Sequence, residues 1–293
     1  MIAAWSRSVF SNMNKTSNFR FGSLVVLSVV LSVGALGLVA YANHSWANYH
    51  WARTANPFDL KVGDNVSSVW DPYLDEAITD WSASSVLDLS EVAGGTNATK
   101  GRKTPKNCVP TSGRLEICSA KYGNTGWLGI AQIWASGDHI VQATTKVNDT
   151  YFNTSAYNKP AWRRLVMCQE IAHDFGLDHQ DEVFDNANLG SCMDYTNDPD
   201  GGLGGAVSDD PSNEYPNAHD FEQLETLYAH PDSTTTVGQT LFGSGHALVN
   251  GANGEEVAEW GRSIRISSDG KPSLFVRDLG NGLKVFTHVI WAN

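Results

Sequence analysis

Between positions 169 and 179 the chain reads Gln-Glu-Ile-Ala-His-Asp-Phe-Gly-Leu-Asp-His. Those residue types can hold a metal ion and activate a water beside it. On a helix, Gln169 and His173 lie one above the other on one face, where both can touch a single ion. Glu170 is then placed to reach a water on that ion. Gly176 tolerates the positive φ of a helix end, and the turn it permits returns His179 to the same point. Zinc takes about four ligands near 2.1 Å, and a catalytic site leaves one position to water. The ion lowers that water's pKa, and a carboxylate takes its proton as it attacks a carbonyl.

A second short run follows, Ser191-Cys192-Met193-Asp194-Tyr195, with Met193 14 residues past His179. Together the two runs resemble the zinc signature and Met-turn of the metzincin metalloproteases, most closely the matrixin-like branch. The order of elements over residues 57–230 is similar as well: strand, helix, strands, signature helix, Met-turn, final helix. The resemblance implies His173 and His179 as zinc ligands and Glu170 as general base. It also implies Met193 as the floor beneath the metal and Tyr195 as a hydrogen-bond donor to the transition state. It implies an extended peptide substrate lying along the strand Leu128–Trp134, held by main-chain hydrogen bonds. If the signature helix and Met-turn stack as in that clan, Cys168 and Cys192 are neighbours, so the preferred pairing is Cys108–Cys118 with Cys168–Cys192, one of three possible connectivities.

This chain departs from the family at one ligand: Gln169 stands where the family has histidine. An amide offers zinc only its carbonyl oxygen, a poorer donor than imidazole. Gln169 either ligates through Oε1, stays outside the coordination shell, or leaves the site without metal. Two functions from different classes follow. One is a zinc-dependent endopeptidase acting on protein or peptide substrates. The other is a catalytically silent binding module on the same scaffold, against which the retained Glu170 argues, since a silent protein has no chemical use for it.

The elements that would position these residues can be read from patterning. Residues 57–62 and 85–92 alternate as strands, and Asp71-Pro72 opens a helix whose stripe is Leu74, Ile78 and Trp81. Residues 127–134 and 139–147 form a hairpin across a Gly-Asp turn. Pro160 starts the signature helix and Gly176 stops it. Asn217 and Asp220 form a capping box for the last helix. Beyond residues 233–236, three strands close on the turn Gly280-Asn281-Gly282. The expected fold class is α+β, a metzincin-like domain over 57–232 with a spacer at 43–56 and a linker with a small β unit over 233–293.

Composition bounds the rest. The chain has 293 residues, 41% of them hydrophobic, which is enough for a sizeable core and excludes wholesale disorder. A net charge of −12 argues against nucleic acid as a partner. Residues 1–42 hold three basic residues and no acid, ending in an uncharged run from Phe21 to Ala42 and an Ala-Tyr-Ala site. That run reads as a cleaved signal peptide or an uncleaved membrane anchor, and either exports the remainder. Export favours disulfides for the four cysteines. The acids between 181 and 214, among them Asp181, Glu182, Asp194 and Asp210, read first as a solvated acidic loop, with calcium as the alternative, although no EF-hand spacing is present.

Overall fold

The computed structural model describes residues 44–95, 106–202, 209–239 and 256–292. The expected leader, residues 1–42, lies outside them. Among the described residues no helix is long and apolar enough to cross a membrane.

The chain folds as a mixed α+β structure around one large sheet. Its strands are β1 (His50–Trp51), β2 (Phe58–Asn65), β3 (Leu87–Ala93), β4 (Leu115–Ala120), β5 (Trp127–Ser136), β6 (His139–Asn148), β7 (Arg262–Ile266), β8 (Pro272–Gly280) and β9 (Leu283–Trp291). Its helices are α1 (Asp71–Trp81), α2 (Asp149–Phe152), α3 (Pro160–His173) and α4 (Ala218–Leu227). The sheet order is β3-β2-β4-β6-β5-β9-β8-β7, with β1 paired to the start of β6. The β3 to β6 half is parallel, and everything from β5 onward is antiparallel.

Local patterning explains most of these elements. In β2, Phe58, Leu60 and Val62 point inward while Asp59 and Lys61 face solvent, a half-buried strand's alternation. In α1, Leu74, Ala77 and Trp81 are buried, and Pro72 occupies the first turn. Nine of the ten residues in β5 and nine in β6 are buried, because both strands run through the middle of the sheet with side chains packed on each face. The capping box of Asn217 and Asp220 opens α4.

Two stretches differ from expectation. From residue 44 to 56 the expected spacer is no loose segment: His44, Trp46, Trp51 and Arg53 are buried. Aromatic bulk draws it in, and the Trp51 indole donates to the Asp174 carbonyl at 2.9 Å. The last three strands do not form a separate unit either. β9 pairs with β5 from Trp127 to Ser136, so they extend the same sheet. The strand expected to lie open for a substrate is therefore paired along its length by the chain's own C-terminal segment.

Candidate metal centre

Helix α3 is buried at 12 of its 14 positions, so its polar residues stand inside the protein. It packs against α1 and against β5 and β6. The Trp81 indole donates to the Cys168 carbonyl at 3.1 Å. At its end Gly176 takes a φ of 102°, and Leu177 N–H returns to the Ala172 carbonyl. A side chain at 176 would run into the Tyr49 carbonyl and the Leu227 side chain. Outside partners take the carbonyls freed at this terminus: Trp51 on Asp174, and the Tyr228 hydroxyl on Phe175 at 2.8 Å.

Past Gly176 the chain runs beside the turn that carries Met193. Gln180 N–H donates to the Met193 carbonyl at 2.6 Å, and Tyr195 N–H to the Asp181 carbonyl at 3.0 Å. This alignment sets His179 against the end of α3. Cys168–Cys192 and Cys108–Cys118 are both disulfide-bonded, and the first ties α3 to the same turn. Met193 is fully buried.

His173 and His179 meet with their Nε2 atoms 3.0 Å apart. His173 Nδ1 lies 2.8 Å from the Leu177 carbonyl, and His179 Nδ1 lies 2.6 Å from Glu182 Oε1. Each Nδ1 therefore carries the proton that it donates, and the two Nε2 lone pairs face each other. Two bare lone pairs at this distance repel unless a cation or proton stands between them. Orphaned buried groups lie beside the pair or on the same helix. Neither ring nitrogen of His288 has a hydrogen-bond partner, nor has Gln169 Oε1, and neither Glu170 oxygen completes a bond of ordinary geometry. Gln169 does not turn its amide nitrogen to this centre, since that atom donates to the Cys192 carbonyl at 2.8 Å. Such a donor set fits a zinc ion: imidazole nitrogens in their neutral form, with oriented partners behind them.

His288, from β9, is the residue that the sequence did not yield. Its ring stacks on His173 with centroids 4.0 Å apart, and the ligand atoms of His173, His179 and His288 all lie within 4.8 Å of one another. Its signal was a histidine in the otherwise apolar and β-branched run Val285–Trp291, on the same strand face as Phe286 and Ile290.

Burial lowers the pKa of His173 and of His288 well below the usual imidazole value, and the neighbouring imidazoles add to it. Burial likewise raises Glu170 far above the usual carboxylate range, with the charge of Asp174 one turn along helping. Burial would raise Glu182 too. Its hydrogen bond from His179 and the positive charge of Arg265 overcome that and hold it low. Arg265 of β7 grips both oxygens of Asp178 and stands 3.4 Å from Glu182, while the Ser273 hydroxyl donates to Glu182 at 3.0 Å. The C-terminal strands thus brace His179 from behind.

Tyr195 packs its ring 4.3 Å from that of His179. Its hydroxyl does not point into free space but donates to the Val289 carbonyl of β9 at 2.7 Å. Several of the acids at 181–214 accept bonds from the surrounding loop: Asp181 from Val183 and Asn186, Asp210 from Asn188, and Asp194 from Leu189 and Asn213.

No protein-family model matches this chain, and no curated protein matches it in sequence. The likeness to the metzincins therefore rests on the two motifs themselves. The enclosed polar cluster they form stands on its own geometry.

Proposed function

We propose that this chain is an exported zinc-dependent endopeptidase of metzincin type and that its C-terminal strands hold it in a self-blocked form. The observation that carries the proposal is the facing pair of Nε2 atoms on His173 and His179, both with protonated Nδ1 atoms, with the His288 ring stacked on His173 and without a hydrogen bond. Bound zinc would supply an acidified water and a polarised substrate carbonyl. Glu170 accepts the proton of the attacking water and passes it to the leaving amine. Gly129 leaves room for that carboxyl, since a Cβ there would stand 2.8 Å from Oε1.

In the blocked form β9 takes the antiparallel place on β5 that an extended substrate would need, and His288 completes the histidine set. Glu170, His173 and His288 have no solvent exposure. Withdrawal of β9 would uncover Glu170 and free the Tyr195 hydroxyl. It would leave His173, His179 and Gln169 Oε1 as protein donors, an open set with a position for water.

The test compares the full chain with His288→Ala, measuring zinc by elemental analysis and hydrolysis of an unstructured protein substrate. Self-blockade requires that the variant keep zinc and cleave faster than wild type. Loss of both zinc and cleavage would make His288 a permanent ligand and overturn the blocked form. Absence of zinc and of chelator-sensitive cleavage from both proteins would leave the silent binding module in place of the peptidase.

A further inference from the structure

A second cluster of imidazoles lies where β1 meets the start of β6 and the chain leaving α4. His50 and His139 are register partners in the parallel β1/β6 pair. Asp232 reaches them from the segment after α4, and His230 stands two residues before it. Asp232 Oδ1 lies 3.4 Å from His50 Nε2, 3.3 Å from His139 Nε2 and 3.8 Å from His230 Nε2. The ligand atoms of His50, His139 and Asp232 all lie within 4.8 Å of one another.

Hydrogen bonding alone does not account for this geometry. A charge-assisted imidazole–carboxylate bond closes to roughly 2.7–2.9 Å. Here three rings crowd one carboxylate at longer range, with His50 Nε2 3.4 Å from each of its oxygens, and none of them closes on it. The separations instead match a coordination shell, because four ligands about 2.1 Å from a tetrahedral zinc stand about 3.4 Å apart. The rings splay around the point as ligands would: His50 lies at 84° to His139 and at 78° to His230.

The surroundings orient the donors. The other carboxylate oxygen, Asp232 Oδ2, is held by the Arg53 guanidinium at 2.8 Å and its backbone N–H at 3.2 Å, which presents Oδ1 to the imidazoles. His50 Nδ1–H donates to the Asn48 carbonyl at 2.5 Å, so Nε2 is its lone-pair nitrogen. The cluster opens on a cavity of about 430 Å³ lined by His50, His139, His230 and Asp138, so an ion can enter from solvent.

We infer that His50, His139 and Asp232 form a second zinc site, distinct from the enclosed centre, with His230 closing the fourth position. Its effect is structural. Zinc there clamps the N-terminal segment to the chain that follows α4, two stretches far apart in sequence. All four protein ligands are used, as in closed structural sites, so the site performs no hydrolysis.

The experiment adds zinc alone to the full chain and to His139→Ala/His230→Ala, then removes unbound metal and counts zinc per chain. These side chains are 38% and 60% exposed, so their loss has little effect on the core. The wild type is expected to retain one zinc more than the double variant. Its thermal midpoint should also rise with zinc by more than the variant's. One zinc in the wild type and none in the variant would place the ion here and leave the enclosed centre empty, which separates this site from the proposed activity. Equal zinc content in the two proteins overturns the site. Should the double variant fail to fold, His139→Ala carries the same comparison.

Discussion

Gly129 of β5 faces the Glu170 carboxyl so closely that a Cβ on it would stand 2.8 Å from Oε1 and 2.7 Å from a Val166 methyl. A hydrogen in place of a methyl is what lets an acid sit inside the sheet–helix layer at that point. Gly129→Ala is expected to destabilise the fold by about 1–3 kcal/mol through overpacking. Chemical denaturation measures it, and an unchanged midpoint would mean that Glu170 is free to move aside.

Glu182 holds the Nδ1 proton of His179 at 2.6 Å. Partners behind metal-binding histidines fix the tautomer and ring angle, and their loss lowers affinity about 10–100-fold. Glu182→Ala should weaken zinc at the enclosed centre by that factor in competition with a chromophoric chelator. The cluster at Asp232 should keep its affinity, which separates the two centres in one titration.

Asp194 is buried, and burial pushes its pKa up to about 7 from the ordinary 3.8. The folded protein thus holds a proton there over a range in which the unfolded chain has lost it. The contribution to stability is complete below about pH 4 and is lost as pH rises through 7. A shift of this size corresponds to at most about 4 kcal/mol. Asp194→Asn cannot ionise, so it should gain stability relative to wild type as pH rises from about 4 to about 7. Denaturant midpoints at the two ends of that range give the difference. Parallel curves for the two proteins would place the titration elsewhere.

The Cys168–Cys192 bridge closes 24 residues of sequence, including Gly176 and His179. Loop entropy gives it about 3 kcal/mol of stabilisation. Cys168→Ser/Cys192→Ser should lower stability by about that amount and loosen zinc at the enclosed centre, because α3 and the Met193 turn lose their covalent tie. A loss of stability with unchanged zinc affinity would show that Gln180–Met193 and Tyr195–Asp181 pairing suffices to align the site.

Much of this architecture was legible because local rules and tertiary packing agree. The alternation at Phe58, Leu60 and Val62, the Pro160 start and Gly176 stop of α3, and the Asn217–Asp220 box each have a short-range cause. His173, His179 and Glu170 were legible for the same reason, since helix period and one glycine turn bring them together. His288 was not, because it is 109 positions beyond His179 and reaches it only through the β5/β9 register. Arg265 and the Asp232 cluster escaped for the same cause. Residues 43–56 looked like a spacer because they carry no strand or helix period, and the indole of Trp51 is drawn in by a helix terminus that sequence alone does not locate.

The pairing of β9 on β5 also bears on colloidal behaviour. Nine of the ten residues of β5 are buried, and without its neighbour it would present a long row of free amides and carbonyls flanked by apolar side chains. Such a row invites the strand of another molecule. With the C-terminal strands in place, the sheet instead terminates at β7, five mostly exposed residues that include Arg262 and Arg265, and at β3, with Asp88 and Glu91. Short borders that carry charge discourage edge-to-edge association, although Ile264 and Ile266 of β7 are exposed. The segment that covers the candidate site therefore also guards the protein against self-association, and any event that withdraws it exposes an adhesive surface together with that site.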